Sequence, residues 1–340
     1  MKIPEFLKIG DTIGIIAPSF GANTEPYNTR LKSAINLLIE RGFKTQIYGD
    51  VFGYYQGASE SKEKRAEAFI SAYKDKNIKA IWSAGGGEMM FEILPLIDFK
   101  ELKKYPPKFF IGYSDNTNLT FLLPTLLNTV SVYAPCLTTF GMKPLDVFLE
   151  NTLDLLMGKQ LIQVASKLYE PVNVPEKDPL APYTLTTPTK WLNLFNEETI
   201  SLNGRIIGGC LDVLISLIGT SFDKVKEFQK KYKDDNIIWF LEVAELNIFS
   251  YKKALWQLKE AGWFNYAKGI LFGRSAATET FLDMNLYDVT KDILKDLNIP
   301  IIMDMDIGHV SPMLTTFTGA LVEVINNNKK SEIKFHLPNK

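Results

Sequence analysis

The sequence predicts an α/β protein in which a flavodoxin-like parallel sheet domain is followed by a smaller mixed β/α domain. In the first half, short apolar runs alternate with segments of helical spacing, which is the pattern of βαβ units. A proline-rich stretch then interrupts the chain, and beyond it strand-like segments outnumber helical ones. The length of 340 residues also indicates two domains, at roughly 100–200 residues each.

The first half predicts five strands and four helices in alternation. The strands are short apolar runs, and each helix carries apolar residues three or four positions apart. The helix over residues 26–41 illustrates this, since it ends at Arg41-Gly42, a typical helix end. The predicted strands cover residues 13–17, 45–48, 80–83, 109–113 and 130–133, and the predicted helices cover residues 26–41, 60–75, 88–97 and 117–127.

Prolines separate the two predicted domains. Proline at this density excludes a helix interior or a central strand. The stretch therefore predicts a linker or long loop over residues 166–190, between a first domain at 1–165 and a second at 191–340. The prolines concerned are Pro171, Pro175, Pro179, Pro182 and Pro188.

The second domain predicts six strands and three helices. Trp256 and Trp263 are predicted to be core residues of one of these helices and its end. The predicted strands cover residues 205–207, 237–241, 269–272, 301–303, 320–324 and 333–335, and the predicted helices cover residues 209–218, 250–261 and 286–296.

Composition excludes several classes of function. The 38 Lys and Arg residues nearly balance the 39 Asp and Glu residues, so no basic surface for nucleic acid or an anionic membrane is expected. No apolar run reaches the ~18 residues of a membrane span. Two cysteines and two histidines argue against a disulfide framework and against a metal site. The first residues lack a signal-peptide apolar region, so we expect a cytoplasmic protein.

Ser114 is the candidate nucleophile. It lies in Gly112-Tyr113-Ser114-Asp115, where an apolar strand ends and a helix begins at once. A serine on such a turn projects like the nucleophile of a strand-turn-helix elbow, and the backbone N–H groups of the following helix point toward the reacting group. On these residues alone, simple capping of the helix by Ser114 or Asp115 remains the alternative.

A serine nucleophile needs a base, and histidine is the usual one because its pKa lies near neutrality. His309 lies in a loop after an apolar strand, with a glycine before it and a proline soon after. His336 lies four residues from the end of the chain. His309 is therefore the better candidate base.

An orienting carboxylate would complete a triad. Glu242 directly follows the apolar strand 237–241, and a carboxylate at the end of a buried strand usually has a partner. Glu245 is the nearest competitor. Asp304 and Asp306 are close to the histidine in sequence but can equally cap or solvate its loop.

Three glycines follow a predicted strand and precede a predicted helix, at Gly85-Gly86-Gly87. Such a loop can cradle a phosphate or supply an oxyanion hole, because glycine lets a backbone approach a ligand closely. The loop matches neither common nucleotide-binding glycine pattern. An oxyanion hole needs only one free N–H beside Ser114.

Taken in order, these motifs resemble the LD-carboxypeptidase family of serine peptidases, which includes the microcin C immunity peptidases. The resemblance covers nearly the whole chain, and each motif is weak alone but specific in this order. The matching segments are Leu7–Gly14, Ala17–Ser19, Gly86-Gly87, Leu94–Asp98, Gly112–Asp115, Asn203–Arg205, Gly208-Gly209, Phe240–Glu242, Gly269–Arg274 and Gly308-His309.

The resemblance implies a Ser–His–Glu triad formed by Ser114, His309 and Glu242. It implies no metal and no organic cofactor, and it suggests a homodimer. The implied reaction is hydrolysis of an amide next to a free carboxylate, as in an LD-linked murein peptide. Two alternatives remain, namely hydrolysis of a peptidyl- or aminoacyl-nucleotide, and a binding protein for a small molecule without enzymatic activity.

The oxyanion would bind backbone N–H groups of Asp115 and of Gly86 or Gly87. The sequence departs from the family pattern after the glycine pair, where Glu88 replaces an aromatic residue. It departs again after the triad glutamate, where Val243 replaces an acidic residue. Both departures concern substrate preference.

The proline- and threonine-rich stretch is more similar to the immunity-peptidase branch, in which this loop borders the substrate. Trp191 follows the stretch directly. It is therefore a candidate for stacking on a substrate group. Its alternative role is to anchor the linker against the second domain.

Overall fold

Two β-sheets organise the computed structural model, which describes residues 1–171, 178–276 and 280–337. The strands of this part of the chain are β1 Thr12–Ile16, β2 Lys44–Ile47, β3 Ile78–Ser83, β4 Phe109–Gly112, β5 Ser131–Tyr133, β6 Ile162–Val164, β7 Leu168–Tyr169, β8 Thr187–Pro188, β9 Leu192–Asn193, β10 Thr199–Cys210, β11 Ile237–Glu242, β12 Ala267–Gly273, β13 Ile301–Met305, β14 Thr316–Thr318, β15 Leu321–Asn327 and β16 Ser331–His336.

Helices connect most of the parallel strands. They are α1 Tyr27–Glu40, α2 Lys62–Lys74, α3 Phe99–Leu102, α4 Thr117–Leu122, α5 Val147–Leu156, α6 Leu211–Leu217, α7 Val225–Lys231, α8 Ile248–Glu260 and α9 Leu286–Leu294. None of these described helices is both long and apolar enough to cross a membrane.

The first sheet has the order β2-β1-β3-β4-β5-β14. Strands β1 to β5 run parallel, and the order 2-1-3-4-5 is that of flavodoxin-like folds. Apolar residues of β1 are buried on both faces, since Ile13, Ile15 and Ile16 are fully inaccessible. The predicted flavodoxin-like first half is confirmed.

The second sheet has eight strands in the order β6-β16-β15-β10-β11-β12-β13-β9. Its four central strands, β10 to β13, run parallel, and antiparallel strands flank them on both sides. This is the mixed β/α architecture that the sequence predicts for the second half.

The sheets exchange strands across the predicted domain boundaries. Strand β14, from the second half, pairs antiparallel with β5 of the first sheet. Strand β6, from the predicted first domain, pairs with β16 of the second sheet. Both strands have three residues, too few for a periodic signal in the sequence. Of the predicted linker, residues 172–177 lie outside the described residues, and β7 and β8 pair on either side of them.

Aromatic packing joins the helix after β4 to the second sheet. Phe121 of α4 stacks on Trp263, with ring centroids 5.3 Å apart, and also contacts Trp239 of β11. The N–H of Cys210 at the end of β10 donates to Thr117 Oγ1 at the start of α4. The prediction of a core residue is right for Trp263 and wrong for Trp256, whose exposed fraction is 56% because it lies on the outer face of α8.

Candidate active site

Ser114 lies on the sharp turn between β4 and α4. Its φ of +63° is in the left-handed region, which costs a residue with a Cβ roughly 1–2 kcal/mol. The turn is held by a hydrogen bond from the Ser114 N–H to the Tyr133 hydroxyl, at 3.3 Å. The Ser114 side chain caps neither the short 3₁₀ turn nor α4. The hydroxyl is therefore available to a base.

Three predicted residues come together in one hydrogen-bonded chain. Ser114 Oγ lies 3.0 Å from His309 Nε2. On the other side of the ring, His309 Nδ1 lies 2.8 Å from Glu242 Oε2. The Glu242 side chain is fully buried at the end of β11, whereas His309 reaches the site from the loop after β13. The first sheet thus carries the hydroxyl, and the second half carries the imidazole and the carboxylate.

The charge and the hydrogen bond of His309 favour the ionised form of Glu242. Burial alone would raise the pKa of Glu242, but the charge and hydrogen bond of His309, together with Tyr133 and Cys210, hold it below its usual value. Burial alone would lower the pKa of His309, but Glu242 and then Asp212 and Glu245 raise it above its usual value. Glu242 therefore accepts the Nδ1 proton, which leaves Nε2 free to accept a proton from Ser114.

The competing groups lie elsewhere. Asp306 is buried and pairs with Arg274 at 2.7 Å. Asp304 accepts a hydrogen bond from the hydroxyl of Tyr287. Glu245 is exposed and lines the cleft that opens beside Ser114 and His309. It does not hydrogen-bond to the histidine ring in the described part of the chain. His336 is on the edge region of the second sheet, where it pairs with Glu323 at 3.1 Å.

Asp115 follows the serine and points away from the triad. Its carboxylate accepts hydrogen bonds from Ser19 Oγ at 2.5 Å, the Met90 N–H at 2.8 Å and Asn118 Nδ2 at 2.9 Å. Ser19 in turn accepts the N–H of Met89. These bonds tie the start of α4 to the segment that follows the glycine loop. Ser19 is fully buried and its hydroxyl is engaged by Asp115, not by a histidine.

The glycine loop passes directly over the serine. A Cβ on Gly86 would lie 3.2 Å from Ser114 Cβ and 3.3 Å from Oγ, so only glycine fits here without displacement. A Cβ on Gly87 would lie 2.3 Å from Ser19 Oγ, and Gly87 has a φ of +138°. Among the described residues, neither glycine N–H donates to a protein acceptor. Free N–H groups beside a nucleophile are the requirement of an oxyanion hole.

Trp191 does not line the cleft. It is buried, its Nε1 donates to Asp306 at 2.8 Å, and its carbonyl oxygen accepts from Asn326 Nδ2. The prediction that it stacks on a substrate is not supported by this position. Because its indole N–H has a buried partner, it anchors the chain that follows the linker.

A cleft with a volume of about 880 Å³ opens beside Ser114 and His309. Four carboxylate side chains and one guanidinium line it, namely Glu88, Glu170, Asp178, Glu245 and Arg30. Arg30 donates from Nε to the carbonyl oxygen of Pro179 at 2.6 Å, which fastens the linker side of the cleft to α1. Within the described ranges, no group of three or more His, Cys, Asp or Glu side chains is placed to hold a metal ion.

Sequence reasoning missed the groups that surround Glu242. Tyr133 was only a strand residue in the prediction, yet its hydroxyl donates to Glu242 Oε1 at 2.5 Å. Asp212 accepts the N–H groups of the three residues from Ala244 to Leu246 and so orders the turn after β11. Nothing in the linear sequence places Tyr133 beside Glu242, because the two residues are on different sheets.

Comparisons with known proteins show which family and fold this chain shares. Models of the LD-carboxypeptidase N-terminal and C-terminal domains match residues 13–134 and 203–324. The probable murein peptide carboxypeptidase of Bacillus subtilis (strain 168) is 27% identical, over 97% of this chain and 94% of the relative. The microcin C7 self-immunity protein MccF of Escherichia coli is 26% identical, over 96% and 94%.

A solved structure of MccF in complex with aspartyl sulfamoyl adenosine superposes with a TM-score of 0.82 at 24% identity, over 98% of both chains. This likeness shows the two-domain fold. The two family models together cover more than half of the sequence. The chain therefore belongs to the LD-carboxypeptidase family of serine peptidases, and it is a hydrolase.

Proposed function

We propose that this protein is a serine carboxypeptidase-type amide hydrolase with a triad of Ser114, His309 and Glu242. The observation that carries the proposal is the hydrogen-bonded chain from Ser114 Oγ through His309 to Glu242, at 3.0 and 2.8 Å. Its order and geometry correspond to those of nucleophile, base and orienting acid in serine hydrolases.

In the proposed mechanism, Ser114 Oγ attacks the carbonyl carbon of the scissile amide while its proton passes to His309 Nε2. Glu242 holds the imidazole in the tautomer with Nδ1–H and balances the positive charge of the imidazolium. His309 then gives the proton to the leaving amine, which departs and leaves an acyl ester on Ser114. A water molecule, deprotonated by His309, hydrolyses the ester and restores the serine.

Backbone N–H groups of Asp115 and of Gly86 or Gly87 would bind the oxyanion that forms on the carbonyl oxygen. Two observations support this assignment. The glycine loop passes so close to the serine that a Cβ on Gly86 would lie 3.3 Å from Ser114 Oγ, and Asp115 is the residue after the nucleophile on the turn. Such donors act in a site already oriented for the transition state, where they typically contribute the most.

The proposed substrate is an LD-linked murein peptide, cleaved next to its free carboxylate. Support comes from the family model and from the relative named as a probable murein peptide carboxypeptidase. The cleft is large enough for several residues of a peptide, at about 880 Å³.

A second candidate substrate is a peptidyl- or aminoacyl-nucleotide. One observation favours it, since exposed aromatic rings of Phe20, Tyr27 and Tyr54 line the same cleft and offer flat surfaces to a planar base. The MccF structure described above contains a sulfamoyl adenosine ligand.

Turnover of both substrates by the same preparation separates the candidates. We expect release of the terminal D-amino acid from an LD-linked muropeptide, and a much smaller kcat/KM on a peptidyl-adenylate analogue. The matched control is Ser114→Ala, which should be inactive on both. A larger kcat/KM on the adenylate would assign the protein to the second class, and turnover by Ser114→Ala would reject the mechanism.

We propose further that the protein is a homodimer, as the family resemblance suggests, and that it acts in the cytoplasm, as its low cysteine content leads us to expect. Light scattering on the purified chain and fractionation of cells test the two statements. A monomer at micromolar concentration would contradict the proposed homodimer. Recovery of the protein outside the cytoplasmic fraction would contradict the proposed location.

A further inference from the structure

Beyond the triad, the hydroxyl of Tyr133 contacts both halves of the site. It donates to Glu242 Oε1 at 2.5 Å and accepts the N–H of Ser114 at 3.3 Å. Tyr133 ends β5 in the first sheet, whereas Glu242 ends β11 in the second. One oxygen atom therefore links the backbone of the nucleophile to the carboxylate that orients the base.

We propose that Tyr133 is a positioning residue that fixes Glu242 of the second sheet and the Ser114 turn of the first sheet relative to each other. The inference rests on the triad proposed above. It concerns a group that touches neither the substrate nor the reacting atoms, and whose effect is transmitted through Glu242 and through the backbone of Ser114.

Each oxygen of the Glu242 carboxylate has its own donor. Oε2 faces His309 Nδ1, and Oε1 faces the Tyr133 hydroxyl. A carboxylate held at both oxygens cannot rotate away from the imidazole without breaking a charge-assisted hydrogen bond. Burial, and then the negative charge of Glu242, raise the pKa of Tyr133 well above its usual value, so the phenol keeps its proton and remains a donor.

The same hydroxyl supports the strained serine. The left-handed φ of Ser114 is unfavourable by itself, and the bond from its N–H to Tyr133 helps to retain it. Because this N–H is engaged, the oxyanion donors must come from the residues around it. The Tyr133 ring is fixed by edge contacts with Phe240 at 5.2 Å and Tyr113 at 6.4 Å, so the hydroxyl has a defined place.

The test uses Tyr133→Phe, with Tyr251→Phe as the matched control. Tyr251 is equally buried and its hydroxyl bonds to Thr290 at 2.6 Å, outside the cleft. The first readout is the rate at which a fluorophosphonate modifies Ser114. In this reaction Oγ attacks phosphorus, fluoride leaves, and the serine proton passes to His309. We expect Tyr133→Phe to slow it about tenfold to a hundredfold, the range for a lost hydrogen bond to a charged group, and Tyr251→Phe to leave it within twofold.

The second readout is the titration of His309 by NMR on histidine-labelled protein, which has only two histidines to assign. Without the hydrogen bond from Tyr133, the negative charge of Glu242 is less neutralised and stabilises the protonated imidazole of His309 more strongly. The pKa of His309 should therefore rise by about one pH unit. The charged or titratable groups that face His309 and must stay unchanged are Glu242, Glu245, Glu88, Asp212 and Tyr113.

A Tyr133→Phe protein with an unchanged His309 titration and an unchanged labelling rate would overturn the inference. A wild-type serine that resists the fluorophosphonate would contradict the proposed function instead, and the histidine titration would still decide the role of Tyr133. Should Tyr133→Phe not fold, Glu242→Gln tests the same hydrogen bond by changing its acceptor. The downfield hydroxyl proton expected for a 2.5 Å bond should be visible in the wild type and lost in Glu242→Gln, and its absence from the wild type would overturn the inference.

Discussion

Two buried carboxylates lie near Ser114, and their pKa values are shifted in opposite directions although the two side chains are similarly buried. Glu242 and Asp115 are exposed by 0% and 3%. Glu242 contacts His309, and the pKa of Glu242 is held below its usual value. Within the described residues, Asp115 accepts hydrogen bonds from the neutral donors Ser19, Met90 and Asn118, and burial raises its pKa to about 6. The direct contact with His309, which combines its charge with a hydrogen bond, lowers the pKa of Glu242, whereas Arg65 lowers that of Asp115 too weakly to offset burial.

The difference in pKa between Glu242 and Asp115 corresponds to a difference in what the two carboxylates do. Glu242 balances a charge that appears on the imidazole during turnover, so it must be ionised throughout the working pH range. Asp115 ties Ser19 and Met90 to the start of α4, a task for which neutral hydrogen bonds suffice. Substitutions at the two positions should therefore have different consequences, and the following predictions compare them.

The largest expected difference is in turnover. Glu242→Gln should lower kcat by about three to four orders of magnitude, because an amide can favour the wrong histidine tautomer and cannot balance the imidazolium. Asp115→Asn should lower it by about tenfold or less, because the backbone N–H groups remain in place. Steady-state kinetics with whichever of the two candidate substrates the wild type turns over faster would measure both losses.

Glu245→Gln is the control for this comparison. Glu245 is at the edge of the cleft and does not bond to the histidine ring, so the substitution should be nearly silent. Equal losses in Glu242→Gln and Glu245→Gln would show that general cleft charge, not the hydrogen-bonded carboxylate, supports the histidine.

A smaller loss is expected when the Glu242 carboxylate is displaced rather than replaced. A Cβ on Gly308 would lie 2.5 Å from Glu242 Oε2. Gly308→Ala should therefore lower kcat by about a hundredfold, since a misplaced catalytic group can cost that much. Circular dichroism and kinetics on the same preparation would separate activity from folding.

Gly219→Ala is the matched substitution. Gly308 and Gly219 both have positive φ, at +93° and +75°, so both variants carry backbone strain. A Cβ on Gly219, however, would meet no atom within 4 Å. Similar activity in the two alanine variants would contradict a role for close packing at Glu242.

The smallest effect is a change in the pH dependence of stability. Because the folded-state pKa of Asp115 is raised to about 6 from 3.8, its contribution to stability is full below pH 3.8 and is lost as the pH rises through about 6. Each pH unit in this window corresponds to about 1.4 kcal/mol. Relative to Asp115→Asn, the wild type should therefore lose free energy of unfolding between pH 4 and pH 7.

Urea unfolding at three pH values would measure this difference. For Glu242→Gln the difference from the wild type should have the opposite sign and a more acidic window, because the pKa of Glu242 is lowered: its contribution is present above its usual value of 4.5 and is lost as the pH falls through the folded-state value. A wild type that gains stability relative to Asp115→Asn between pH 4 and pH 7 would contradict the raised pKa of Asp115.

Strand ends made much of the site predictable from the sequence. Ser114 and Glu242 each follow an apolar strand, and both lie at the carboxyl end of a parallel strand, where sites usually form. His309 follows β13 with a glycine before it, and the family resemblance joined the three residues into one site. The order of the first sheet was predictable for the same reason, since its strands and helices alternate regularly.

Apart from the triad, contacts between the sheets were not predictable. The role of Tyr133 depends on the packing of β5 against β11, which no local pattern encodes. Strand β14 joins the first sheet from the second half of the chain, and three residues give no periodicity to detect. The sequence leaves two roles open for Trp191, stacking on a substrate or anchoring the linker, and its hydrogen bond to the buried Asp306 favours the anchor. The periodicity of apolar residues predicts helices and strands. Contacts between side chains of different helices and strands become known only from the three-dimensional structure.

The most direct test of the central claim is to locate the residue that a fluorophosphonate modifies, by mass spectrometry of the full chain and its peptides. We predict one adduct, on Ser114. It should be absent in Ser114→Ala, strongly slowed in His309→Ala, and formed at the wild-type rate in His336→Ala. An adduct on Ser19, or a rate that depends on His336 and not on His309, would contradict the assignment of nucleophile and base.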